Sequence, residues 1–179
     1  AIARFLLRPG DQHRLFEIHP TEHRILAAYL ADAKHVEVMD RDGFEGLKSQ
    51  VPPSTRRAVV LIDPSYEGRG DYGRVIATLR DAIARFADGV YIVWNPQFSK
   101  LEAAQLPKRL IALAPKAWLH ASLTVQESNQ PGFGLNGSGV VVINPPHTLH
   151  AQLRTVLPFL AQALGQYAGA HHHLEHRAG

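Results

Sequence analysis

Asp63-Pro64-Ser65-Tyr66 follows directly on the apolar run Ala58-Val59-Val60-Leu61-Ile62, so a carboxylate and an aromatic ring stand at the end of a short β-strand. In open α/β sheets, ligands bind beyond the carboxyl ends of the strands, and five apolar residues in a row suit a strand covered on both faces. Glu17 closes the run Leu15-Phe16-Glu17 in the same way, and Asp42 opens the turn Asp42-Gly43-Phe44 after the alternating segment His35-Val36-Glu37-Val38-Met39. A strand-end carboxylate can accept two hydrogen bonds from the ribose hydroxyls of a nucleoside, or it can simply face solvent. Gly43 lets a flat ligand approach the backbone closely, with Phe44 against its ring, while the same Asp-Gly pair is an ordinary way to open a helix. Asp-Pro is likewise a common turn opening in proteins without catalysis.

Two further groups of residues carry donor atoms. Asn144-Pro145-Pro146-His147 also leaves an apolar strand, but histidine stacks weakly, and the segment reads as a structural exit turn. His171-His172-His173 with His176 offers metal-ligand types; a mobile tail that takes up metal adventitiously is the expectation, and no metal site is assigned.

The elements that must position these residues follow from periodicity. Residues 13–18 read as a strand, and a helix capped by Thr21 follows, with Ile25, Leu26, Tyr29 and Leu30 on one face. Strands are expected at 35–39, 58–62, 90–94, 118–125 and 139–143. Helices are expected at 44–48, from Asp71 to near Asp88-Gly89, at 101–113 with a break or kink at Pro107, and from Leu149 to Leu160 with Pro158 kinking or dividing it. Glu67-Gly68-Arg69-Gly70 suits a loop that orders over substrate. Alternating strands and helices imply a mainly parallel sheet, and the late strands joined by the loop at 127–137 imply an antiparallel finish.

Composition sets the outer bounds. The 179 residues, 45% hydrophobic and 20% charged, fit one globular domain. There is no cysteine, which excludes disulfides, thiolate metal sites and cysteine nucleophiles and fits a reducing cytoplasm. No apolar run approaches the roughly 18 residues of a membrane span. A net charge of +3 with 11 histidines leaves polyanion binding open, although solvated helix faces explain most basic side chains equally well.

Five segments in order resemble the RlmJ (YhiR) family: Leu15-Phe16-Glu17-Ile18-His19-Pro20, Asp42-Gly43-Phe44, Leu61-Ile62-Asp63-Pro64-Ser65-Tyr66, Tyr91-Ile92-Val93-Trp94, and Ser138-Gly139-Val140-Val141-Val142-Ile143-Asn144-Pro145-Pro146. The match runs from about Ile2 to Leu160. The resemblance implies a Rossmann-like methyltransferase fold and the methylation of an adenine N6 in 23S ribosomal RNA with S-adenosylmethionine. It implies that Glu17, Asp42, Gly43 and Phe44 bind the cofactor, that Asp63 and Pro64 hold the target amino group, and that Ser65 and Tyr66 meet the substrate, with Tyr66 stacked on the extruded base. Ser65 stands where the family motif has a second proline; serine keeps the carbonyl and loosens the turn. A DNA amino-group methyltransferase and a non-catalytic nucleic-acid-binding remnant are the alternatives.

Nothing before Pro9 supplies the strand and glycine-rich turn with which a nucleoside-binding α/β domain opens, and the resemblance puts that motif upstream of Ala1. The expectation is therefore a partial catalytic domain over residues 1–166 with its first strand missing, followed by a histidine-rich tail over 167–179. Exposed flanks of the strands ending at Glu17 and Asp63 would favour self-association.

Overall fold

The structure, a computed structural model, describes residues 2–68, 70–98, 100–127 and 134–179. The chain forms two compact units, Ala1–Val51 and Pro52–Gly179. Each has its own sheet.

In the first unit a short helix α1 (Ile2–Leu6) precedes strand β1 (His13–Phe16), helix α2 (Pro20–Tyr29), strand β2 (Val36–Met39) and helix α3 (Gly43–Gln50). β1 and β2 pair in parallel from His13 opposite Val36 to Phe16 opposite Met39, the arrangement that a crossover helix such as α2 permits. Their carboxyl ends, carrying Glu17 and the turn that leads to Asp42, therefore lie side by side. α2 is capped by His19 with Pro20 in its first turn and no side-chain cap; the proline, pre-set for a first helical position, starts the helix ahead of Thr21. Of the apolar face expected on α2, Leu30 is buried, whereas Ile25 and Tyr29 are exposed.

α3 packs tightly against β1. A Cβ on Gly46 would fall 2.2 Å from Phe16 Cε1, so the ring occupies the space that any larger residue needs. Gly46→Ala should therefore cost about 1–3 kcal/mol through overpacking, and the double variant with Phe16→Leu should recover part of that loss in thermal unfolding. Additive losses would show that the ring is not the obstacle.

The second unit contains β3 (Val59–Ile62), α4 (Asp71–Arg85), β4 (Val90–Gln97), α5 (Leu101–Ile111), β5 (Trp118–Thr124), β6 (Gly137–Ile143), α6 (Leu149–Leu164) and β7 (His171–Arg177). Its sheet runs β3-β4-β6-β5-β7. β3 and β4 are parallel, while β4–β6, β5–β6 and β5–β7 are antiparallel. The α/β expectation holds, and the antiparallel part extends beyond a single last strand: β6 inserts between β4 and β5, and β7 adds an outer strand. The helices run through both prolines, Pro107 in α5 and Pro158 in α6, without the expected division. Around Pro158, buried Leu157 and Ala161 pin α6 on both sides, so packing outweighs the helix-breaking cost of the ring.

Two layers of side chains cover the sheet. Tyr91 and Val93 of β4 and Val141 and Ile143 of β6 are fully buried, as are Leu79 of α4 and Leu106 and Leu110 of α5. On the other face Leu119, Ala121 and Val142 form a cluster with Leu157 of α6, joined by Leu174 of β7. β3 departs from the expected strand covered on both faces: Ile62 is buried, whereas Val59 and Leu61 are 69% and 63% exposed. Among the described residues it pairs with β4 alone, so these apolar side chains stand at one end of the sheet.

The mobile tail expected over 167–179 is ordered from His171 to Arg177 as β7. The sequence signal was faint because histidine contributes little to a core. Backbone pairing to β5 and the inward Leu174 hold the strand in place.

Candidate active site

Asp63 leaves β3 at the same level as Trp94 leaves its pairing with β3, since Ile62 stands opposite Val93. Asp63 is exposed, Pro64 half-buried, Ser65 exposed and Tyr66 buried. Although Asp63 is exposed as a residue, partial desolvation of its carboxyl raises its pKa above the usual carboxylate value. This is the direction expected when neighbouring bulk disfavours the charged form.

Tyr66 is the fixed point of the turn. Its backbone is left-handed, with φ of 56°, an outlier for an aromatic residue that costs on the order of 1–2 kcal/mol. That geometry turns the side chain back into the protein, where it is 3% exposed. The hydroxyl donates to the Trp94 carbonyl oxygen at 2.6 Å, and the ring lies 4.9 Å from Tyr72 and 5.8 Å from Trp94 between centroids. Burial, followed by the charges of Tyr72, Asp63 and Asp71, pushes the phenol pKa up, so the hydroxyl remains a donor. The resemblance implies that Tyr66 stacks on the substrate base; in this conformation its ring is packed against Tyr72 and Trp94, and the residue anchors the turn that carries Asp63.

The expected substrate loop begins as a tied turn. Gly68 N–H donates to Asp71 Oδ2 at 3.0 Å, and Asp71 N–H donates to the Gly68 carbonyl at 3.1 Å. Arg69, also within that expected loop, lies outside the described residues. Tyr72, Trp94 and Asp71 are the supports that sequence reasoning did not identify; an acid in the first turn of a helix after a Gly-rich stretch was the signal available for Asp71.

In the first unit, Glu17 is half-buried, and its Oε1 accepts from His19 N–H at 2.8 Å. Asp42 is the N-cap of α3, with Oδ1 accepting from Phe44 N–H at 2.8 Å. A carboxylate has about four acceptor positions, so the local bond to His19 leaves acceptor capacity on Glu17. Gly43 comes close to β1 from the other side: an added Cβ would lie 3.3 Å from Phe16 Cβ. The structure thus brings Glu17, Asp42, Gly43 and Phe44 to the carboxyl ends of neighbouring parallel strands. Two carboxylates beside a half-buried ring match the donors and flat base of a nucleoside.

Asn144 behaves as the expected exit turn. Its backbone is left-handed, with φ of 54°, and its side-chain amide donates to the Ala87 and Gly89 carbonyls at 2.7 and 2.8 Å. The amide group is committed to the α4–β4 connection. No helix of the described residues is long and apolar enough to cross a membrane.

Comparison with known proteins gives a consistent picture. The family model described as "Ribosomal RNA large subunit methyltransferase D, RlmJ" matches residues 1–176. "Ribosomal RNA large subunit methyltransferase J" of Haemophilus influenzae is 39% identical over 164 residues, and its counterpart in Escherichia coli is 36% identical over 163. Both matches cover 91% of this chain, which spans 58% of the length of each relative. The crystal structure of protein LPL1258 from Legionella pneumophila superimposes with a TM-score of 0.89 at 28% identity, covering 98% of this chain and 64% of that one.

Proposed function

We propose, from the premise that the chain belongs to the RlmJ family of large-subunit ribosomal RNA methyltransferases, that it serves the methylation of an adenine N6 amino group in 23S ribosomal RNA. The observation that carries this reading is the exposed, partly desolvated carboxylate of Asp63 at the carboxyl end of β3, held there by the buried Tyr66 anchor.

In this mechanism Glu17 would accept from the ribose hydroxyls of S-adenosylmethionine and Asp42 from its adenine amino group, with Phe44 against the base and Gly43 allowing close approach. The bound cofactor supplies an electrophilic methyl group. Asp63 would accept one hydrogen bond from the target amine and the Pro64 carbonyl the other, which would orient the nitrogen lone pair for attack. The target amine would lose a proton to solvent as it gains the methyl group. Rate enhancement comes from alignment and from the carboxylate facing the nitrogen as positive charge develops there. The strained backbone at Tyr66 supports this reading because such outliers persist where surrounding packing over-determines them. Ser65, exposed beside Asp63, would meet the substrate.

Calorimetric titration with S-adenosylmethionine tests the cofactor assignment. Glu17→Gln and Asp42→Asn should each weaken binding by roughly tenfold or more, as expected for losing a hydrogen bond to a charged group. Asp63→Ala should leave affinity near that of the parent. Unchanged binding after both carboxylate substitutions would remove these residues from the cofactor site.

A further inference from the structure

The five histidines and one acid around β5 and β7 are sorted by strand alternation onto two faces of the sheet. Glu175 stands opposite His120, and His173 stands opposite Ser122, so His120, His173 and Glu175 share one face. His172 and His176 belong to the other face, where the His176 ring stacks on His150 of α6 at 3.7 Å.

On the first face the three side chains converge. His120 Nδ1 lies 3.7 Å and His173 Nε2 3.8 Å from Glu175 Oε1, and all three ligand atoms fall within 4.8 Å of one another. Four-coordinate zinc with bonds of about 2.0–2.1 Å separates its ligands by about 3.4 Å, so small side-chain rotations suffice to close the set. The Arg177 guanidinium, on the same strand, is engaged elsewhere: it donates to the Lys116 and Ala114 carbonyls at 2.6 and 3.1 Å. The imidazole of His120 is mostly buried, with a side chain 13% exposed, so its ring is held in place by packing. His120 Nε2 is buried without a partner, and a neutral ring leaves that nitrogen unpaired in either tautomer. Coordination through Nδ1 places the ring proton on Nε2, which no protein acceptor among the described residues meets.

We propose that His120, His173 and Glu175 form a site for a divalent transition cation, with zinc the best chemical fit, that ties the outer strand β7 to β5. Two imidazoles and a carboxylate leave the fourth position for water. The site is a clamp rather than part of the methyl-transfer machinery, because β7 and β3 lie at opposite ends of the sheet.

The test uses untagged protein freed of metal by chelation and titrated with Co²⁺, then Zn²⁺. The expected result is one Co²⁺ per chain with the intense visible bands of tetrahedral coordination, bleached by Zn²⁺, together with a Zn²⁺-dependent rise in Tm. His120→Gln and Glu175→Gln should each weaken binding by roughly tenfold or more and abolish the Tm rise. Glu175 is half-exposed, so its substitution keeps the test valid if His120→Gln does not fold. The double variant His172→Gln with His176→Gln should bind as the parent does. Binding that survives Glu175→Gln and fails in the His172/His176 variant would overturn the proposal and identify adventitious capture by exposed histidines.

Discussion

Replacing Asp63 by Ala lowers single-turnover methyl transfer on the order of 10²-fold or more, the scale seen when one preorganised polar group facing the reacting atom is removed, while S-adenosylmethionine affinity stays near the parent value. The separation follows from placing Asp63 against the target amine and Glu17 and Asp42 against the cofactor. Asp63→Asn keeps an acceptor oxygen without the charge and should fall between the two. The raised pKa of Asp63 adds a pH signature: protonation destroys the acceptor, so the rate falls as pH drops through a value above the ordinary carboxylate range of about 3.9. Stability moves the other way. The folded state binds this proton more tightly than the unfolded chain does, so the ionised carboxylate weakens the fold above its folded pKa, and that penalty disappears below the unfolded value. Asp63→Asn should consequently raise Tm slightly at neutral pH as it lowers turnover. A parallel loss of both would indicate that Asp63 supports the fold rather than the reaction.

The second large effect is at Tyr66. Truncation to Ala removes a ring that is 3% exposed from between Tyr72 and Trp94 and should cost about 3–5 kcal/mol, on the order of 10 °C in Tm for a chain of this size. Tyr66→Phe retains the ring but leaves the Trp94 carbonyl without its 2.6 Å hydroxyl partner, a loss of about 1–3 kcal/mol. Both variants should therefore unfold early, and Tyr66→Phe should also lose turnover through a loosened Asp63 turn. A stacking role predicts a different pattern, in which Tyr66→Phe is silent in Tm and in rate and only Tyr66→Ala suffers. Thermal unfolding and single-turnover rates of the same two proteins distinguish these accounts.

The strands that carry the acids were legible because periodicity and the residues at their exits agree: β1 ends before Glu17 and β3 ends before Asp63. Side-chain direction was not legible. Nothing in Asp63-Pro64-Ser65-Tyr66 reveals that the fourth residue adopts a positive φ and swings inward, since the ring packs on Tyr72, beyond the turn, and on Trp94, remote in sequence. The helix start at His19 rather than Thr21 turned on a proline whose preference for a first turn outweighed the better capping side chain. β7 escaped notice for a related reason. One leucine in His171–Arg177 faces the core, and the rest of its stability comes from backbone pairing with β5, which leaves no hydrophobic pattern in the sequence. The same alternation that hid the strand places His173 and Glu175 beside His120.

Nucleoside analysis by mass spectrometry of 23S ribosomal RNA, incubated with the protein and isotopically labelled S-adenosylmethionine, measures the proposed reaction directly. The account predicts label in N6-methyladenosine, appearing with the parent protein and falling on the order of 10²-fold or more with Asp63→Ala. Label confined to another nucleoside, or N6-methyladenosine formed equally by both proteins, would contradict it.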